Sequence, residues 1–256
     1  MSAKIDRTGE VSYTKYGTKA VIVEYKSNKE VTVEFQDEHK YRYCTSYMNF
    51  KNGNLTNPYE NRANKDFIGF VGNGKFNSVN AKDAYYKWRA IIRRCSCVDY
   101  ESIVNKDIAS YKNCTLCDEW LCFQNFAKWY YDHCYECDET LCIDKDILVH
   151  GNKEYAPDKC LLVPSKINLM LIKETANRGN LPMGVKVNKR NGMYIASLKK
   201  DGKCNHIGTF GDKYTAFNAY KVAKENHIKE VADQYKTILP EYIYNALYKY
   251  EILITD

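Results

Sequence analysis

Apolar and polar positions alternate through residues 18–47. The runs TKAVIVEYK, EVTVEFQD and KYRYCTSY have a period near two and are rich in β-branched and aromatic residues, which predicts strands. Polar breaks at Ser27-Asn28-Lys29 and Asp37-Glu38-His39 separate them, and FKNGNLTNPYEN closes the segment with Gly53 and Pro58. Residues 1–58 therefore read as a small antiparallel β module. Residues 59–79, rich in Gly and Asn, read as a linker.

The period then lengthens. Ala84, Trp88, Ile91, Ile92 and Cys95 share one helical face from about Asn80, with Lys82, Lys87, Arg89, Arg93 and Arg94 on the other. Trp120, Phe123, Ala127 and Tyr130 form the stripe of a second helix at 118–131. TLCIDKDILV (140–149) and KCLLVP (159–164) predict two strands around a turn at 150–158. SKINLMLIKETA (165–176) predicts a helix with Ser165 as N-cap. Strand candidates follow at 183–189, 193–200 and 204–210. They are separated by the hairpin turns Arg190-Asn191-Gly192 and Asp201-Gly202-Lys203. A helix is expected at 213–236, where Ala216, Ala219, Tyr220, Ala223 and Ile228 make a face of mostly small residues suited to lie on a sheet. The tail beyond 237 reads as helical, then apolar.

Composition adds limits. The chain has 256 residues, 45% hydrophobic and 27% charged, which argues against wholesale disorder. No stretch reaches the roughly 18 apolar residues of a membrane span, and the first residues lack the apolar core of a signal peptide. The expectation is a cytoplasmic protein with no membrane partner and no small-molecule cofactor. Its 11 cysteines would then be reduced and would serve as packing residues, ligands or nucleophiles.

Charge matters by position. The net charge is only +6, yet residues 178–213 hold eight cations to two anions, an excess as large as that of the whole chain. Cations bind phosphate and strands can enter a major groove, so this stretch is a candidate DNA surface; the alternative is a solvated lysine-rich face. Cys114-x₂-Cys117 and Cys134-x₂-Cys137 have the spacing of a four-thiolate zinc site, and read otherwise as small packing residues. His133 beside Cys134 is adjacency, not a catalytic arrangement.

Two resemblances sharpen this. Gly184-Val185, Tyr194-Ile195-Ala196, Ile207-Gly208-Thr209-Phe210 and Ala216…Ala219-Tyr220 make the stretch from 184 resemble the APETALA2/ethylene-response-type DNA-binding domain. That implies a three-stranded sheet in the major groove with a helix behind it. The DNA-reading residues it implies are Lys186, Lys189, Arg190, Tyr194, Lys199 and Lys203; Arg178 and Lys200 join them as DNA-binding candidates from the local excess of cations.

Upstream, Ile143-Asp144-Lys145-Asp146-Ile147, Gly151-Asn152, Tyr155-Ala156-Pro157, Cys160, Val163-Pro164 and Ile167-Asn168 resemble the ββα-metal core of HNH endonucleases, more narrowly a phage-encoded group. Trp88…Arg94-Cys95 and residues 117–130 fit the same group. The resemblance implies an α+β, multidomain chain. It would have a nuclease core at 80–177, the DNA-binding domain at 178–236 and a helical tail at 237–256. It implies a metal-dependent DNA endonuclease, in the manner of a homing endonuclease, acting on double-stranded DNA in a bacterial host cell. Asp144 and Asn168 would hold Mg²⁺ or Mn²⁺, whose hard character calls for oxygen ligands. The catalytic set would be Asp144, Lys145, Asp146, His150 and Asn168. The HNH pattern has Asp-His where this chain has Asp144-Lys145. A lysine of ordinary pKa, about 10.4, is a poor base at neutral pH, so the base is left among His150, Tyr155 and a water held by Asp146, with Lys145 free to stabilise phosphate charge. Two alternatives stand beside the nuclease. One is a DNA-binding regulator with a degenerate HNH core. The other is a zinc-braced adaptor.

Overall fold

The computed structural model describes residues 5–60, 68–96, 113–172, 179–200 and 202–256. It is a mixed α+β structure with several small sheets and six α-helices among the described residues. The chain divides into two compact units, Met1–Asp132 with Glu154–Ala156, and His133–Lys153 with Pro157–Asp256.

The first unit begins with four strands, β1 (Val11–Tyr13), β2 (Lys19–Ser27), β3 (Glu30–Phe35) and β4 (Arg42–Thr45), paired antiparallel in chain order. The alternation sends Ala20, Ile22, Val31, Val33 and Phe35 to one face, where they bury with Phe50 of helix α1 (Tyr47–Lys51). Ser46 caps that helix by accepting the Asn49 N–H at 3.2 Å. Helix α2 (Lys82–Ser96) buries Ala84, Trp88, Ile91 and Ile92. Its Trp88 indole donates to the Trp120 carbonyl at 2.7 Å.

The helix expected at 118–131 starts late. Asp118–Leu121 is a 3-10 turn, and α3 runs Phe123–His133. Phe70 causes the break. Its N–H donates to the Leu121 carbonyl and its carbonyl accepts from the Phe123 N–H, both at 2.9 Å, so the backbone there is held in a bridge rather than a helix. Short strands β5 (Thr115–Leu116) and β7 (Glu154–Tyr155) pair in parallel.

In the second unit β6 (Leu141–Asp144) pairs antiparallel with β8 (Leu161–Pro164), and α4 (Ser165–Leu171) follows at once. The strand expected at 140–149 stops at Asp144 because the Asp144 carboxylate turns the chain, accepting the N–H groups of Asp146 and Ile147. Ser165 is not the N-cap expected of it. Pro164 holds that position, and the carboxylate of Glu139 accepts from the Ser165 hydroxyl at 2.8 Å and the Lys166 N–H at 2.9 Å.

Strands β9 (Val185–Val187), β10 (Tyr194–Lys200) and β11 (Lys203–Phe210) form an antiparallel sheet with β10 central. Helix α5 (Lys213–Gln234) packs on it, capped by Asp212, and α6 (Glu241–Tyr248) packs on α5. Ile147, Leu161, Val163 and Ile167 share a single core with Val185, Ala196, Leu198, Phe217, Tyr220 and Ile228. Residues on both sides of 177/178 thus build one interior. No described helix is long and apolar enough to cross a membrane.

Candidate functional site

Asp144 stands at the end of β6. Its Oδ1 accepts the Asp146 N–H at 2.8 Å and the Ile147 N–H at 2.9 Å. Burial pushes its pKa above the usual carboxylate value, and the Asp146 charge adds to the rise. The two N–H donors and the Lys145 cation pull the other way without cancelling it. Asn168 lies in the first turn of α4, which packs against both β6 and β8. Its side chain is half-buried and makes no hydrogen bond among the described residues. The carboxylate of Asp144, half-buried, and the amide oxygen of Asn168 stand on packed elements and are oxygen donors of the kind a hard divalent cation takes. Among the described residues no three or more His, Cys, Asp and Glu side chains gather as a metal-holding group; an Asp–Asn pair is not such a group.

Lys145 turns inward. It is 6% exposed, and its ammonium donates to Asp146 Oδ2 and to the Asn152 carbonyl, each at 2.7 Å. The Asn152 amide returns a bond to the Lys145 carbonyl at 2.9 Å. Lys145 therefore closes the loop after β6. Asp146 stays partly exposed beside it.

His150 sits in the turn that follows. Its Nε2 meets the Asp256 carboxylate, and its ring lies 6.1 Å from that of Tyr250. Tyr250 holds its proton tightly, because it is buried and because Asp256, Asp144 and Asp146 all set negative charge near it. The tail residues Tyr250 and Asp256 thus belong to the same neighbourhood as Asp144 and His150. No sequence signal pointed to them, since His150 and Asp256 are 106 residues apart. Tyr155 belongs to the first unit, where it is 1% exposed and accepts a hydrogen bond from Arg94 at 3.3 Å.

Cys114 and Cys117 lie in the first unit, the former buried, the latter half-buried with its thiol pKa raised by burial. Cys134 and Cys137 lie in the second, exposed and half-buried respectively.

The sheet has a helix side and an open side. Ala196 and Leu198 face the core, so Ile195, Ser197 and Lys199 face away. Register places Lys186 and Thr209 opposite Ile195, His206 opposite Ser197, and Cys204 opposite Lys199. His206 and Thr209 meet at 3.1 Å across a bulge in the pairing at Ala196/Ser197. Lys189 and Arg190 are exposed in the β9–β10 turn. The remaining candidates point elsewhere. Tyr194 packs against the core, and Lys200 pairs with Glu230 of α5 at 2.6 Å, with Lys203 opposite it in register. Arg178 lies outside the described residues. His206 and Thr209 had escaped notice because the bulge that aligns them has no sequence mark.

No protein-family model, no curated protein and no solved structure matches the chain.

Proposed function

We propose that the chain is a metal-dependent DNA endonuclease of the HNH class, with the basic sheet as its DNA-binding surface. The observation that carries the proposal is the β6–β8–α4 unit, in which α4 packs on the hairpin and Asp144 ends its first strand. Asp144 and Asn168 would hold Mg²⁺ or Mn²⁺. A bound divalent ion would supply Lewis-acid stabilisation of charge on the scissile phosphate. The chain's own part is to keep Asp144 fixed by two backbone N–H groups and to hold the loop after it through Lys145 and Asn152. Lys186, Lys199, Lys189 and Arg190 would bind backbone phosphates.

Purified protein should cut long double-stranded DNA with Mg²⁺ or Mn²⁺ and stop on chelation, while Asp144→Ala and Asn168→Ala bind DNA without cutting it. Intact DNA with either metal, or variants that cut as well as wild type, would overturn the assignment.

A second reading is favoured by Lys145. Where the HNH pattern has its histidine, this chain carries a lysine whose ammonium is committed to Asp146 and a backbone carbonyl. On that reading the protein binds DNA and does not cut it. Binding without metal-dependent cleavage is the result that would favour it.

A further inference from the structure

Helix α2 carries five cations, Lys82, Lys87, Arg89, Arg93 and Arg94, against one anion, Asp83. The sequence pattern puts all five cations on the face away from the core, and packing sorts them further. Arg94 is half-buried and donates to the Tyr155 hydroxyl at 3.3 Å. Lys87 is half-buried on the flank. Lys82, Tyr86, Arg89 and Arg93 are exposed. At about 100° per residue these four fall within an arc of about 60°, on the side opposite Ala84, Trp88, Ile91 and Ile92. The stripe they make is about 16 Å long, at about 1.5 Å of rise per residue. Among the described residues the Lys82 and Arg93 side chains have no ion pair and no hydrogen bond, and the Tyr86 hydroxyl has no hydrogen bond. Tyr86 is 60% exposed. Arg89 lies over the Tyr85 ring, 5.9 Å from its centre.

We propose that this stripe of α2 is a second DNA-binding surface, which takes backbone phosphates of duplex DNA. It rests on the reading that the chain binds DNA, and it adds a surface in the first unit to the basic sheet of the second. Charge complementarity chooses the occupant. One strand of a duplex presents a phosphate about every 3.4 Å along the helix axis, so a row of about 16 Å faces about five of them. That is enough for Lys82, Arg89 and Arg93 each to meet one. Tyr86 stands between these cations, and its hydroxyl donates to a phosphate oxygen as tyrosines in DNA interfaces do. The other polyanion that basic helices serve is a membrane surface. A helix lying in that interface must put its apolar face into the lipid. Here Trp88, Ile91 and Ile92 are no more than 1% exposed, so that face is already used by the protein's own core. What α2 leaves outside is charge and one hydroxyl, which match phosphates and not acyl chains.

The test is a fluorescence titration of the full chain with two labelled duplexes of unrelated sequence, from low to high salt. Lys82→Gln with Arg93→Gln should flatten the slope of log affinity against log salt by about 2, and should lower affinity at about 0.1 M salt roughly 60-fold. The loss should be the same on both duplexes, since phosphate contacts carry no sequence. Lys82→Arg with Arg93→Lys keeps both charges and should bind as wild type does. Lys29→Gln with Lys51→Gln removes the same charge from exposed positions elsewhere in the unit and should leave the slope alone. An unchanged slope in the Lys82/Arg93 charge-removal variant overturns the inference, while Lys186→Ala with Lys199→Ala reports separately on the sheet. An equal drop in the Lys29/Lys51 variant overturns it too, because net charge alone would then explain the effect. So does a loss confined to one duplex, which would mean base contacts. Phosphatidylserine vesicles that wild type binds and the Lys82/Arg93 variant releases, with DNA affinity intact, would give the stripe to a membrane and overturn it as well. A wild type that binds neither duplex defeats the DNA-binding reading as a whole. The readout is binding, so the cleavage assignment can fail without touching this surface.

Discussion

Burial makes Asp144 expensive whenever it is ionised. Its pKa is raised in the folded chain, so the native state binds its proton more tightly than the unfolded state does. Stability therefore falls as pH rises from the unfolded value, about 3.9, through the folded one, and the cost persists at neutral pH. Asp144→Asn keeps an oxygen to accept the Asp146 and Ile147 N–H groups and removes the charge. It should raise stability at pH 7 by about 1 kcal/mol, within the range of single stabilising substitutions, and, on the proposed function, it should abolish cleavage. The gain should vanish below about pH 4, where wild type is protonated as well. Thermal melts of both proteins from pH 3.5 to 7.5 check this; a variant less stable at pH 7 would count against a carboxylate that desolvation holds toward its protonated form. Asp144 and Asn168 are singled out through the resemblance, and the sequence pattern does place them at the end of a strand and in the helix that follows the hairpin. Lys145 could be picked but not its direction, since nothing local says that a lysine's ammonium will find the Asn152 carbonyl seven residues on. Asp256 could not be picked at all, because its partner is defined only once the tail is clipped to α5 by Lys221 and Glu225, which bond to the Ile252 carbonyl and N–H.

Alternation and turn chemistry were enough to find the three strands of the basic sheet, but not to sort its cations by face. The net excess in residues 178–213 is a property of composition; the pairing of Lys200 with Glu230 is a property of packing. If the sheet binds DNA as proposed, the two cations on the open side, Lys186 and Lys199, should each neutralise about one phosphate, worth a slope of about 0.9 in log affinity against log salt. Lys186→Ala with Lys199→Ala should flatten the slope by about 2, whereas Lys200→Ala should leave it nearly unchanged. Fluorescence titration of duplex DNA at several salt concentrations measures both. An equal loss in the two would mean that the helix side also meets DNA. Other elements show the same limit. The helix expected from 118 was interrupted by Phe70, some 50 residues upstream, whose backbone holds Leu121 and Phe123 in a bridge. The buried face of α5 includes Lys224 and His227 beside Ala216, Tyr220 and Ile228, while Ala219 and Ala223 are only partly buried, and Lys224 is accommodated because its ammonium reaches the Met170 carbonyl at 2.6 Å.

Motifs divide the second unit into a nuclease-like hairpin and helix and a DNA-binding-like sheet and helix, but side-chain packing does not. Ile147, Leu161, Val163 and Ile167 come from the first, and Val185, Ala196, Leu198 and Ile228 from the second, all in one interior. Lys224 of α5 bonds to the Met170 carbonyl, and Tyr235, just past α5, reaches Glu139, the carboxylate that holds the start of α4. Neither part closes its core without the other. A local alternation signal reports which face of a strand is apolar, not which element will cover it. Ile228 is fully buried in α5, and its replacement by Ala should cost about 3 kcal/mol, within the range for large-to-small changes in a packed core. The cost should appear equally in both parts. Native-state hydrogen exchange should show amides of β6 and β8 losing as much protection as those of β10, since all open only when the shared core opens. Unchanged protection in β6 and β8 beside weakened β10 would mean two separate folding units. If protection falls together, then on the proposed function metal-dependent cleavage and DNA affinity should fail at the same temperature in the Ile228→Ala variant, because elements built on one interior are lost in one transition.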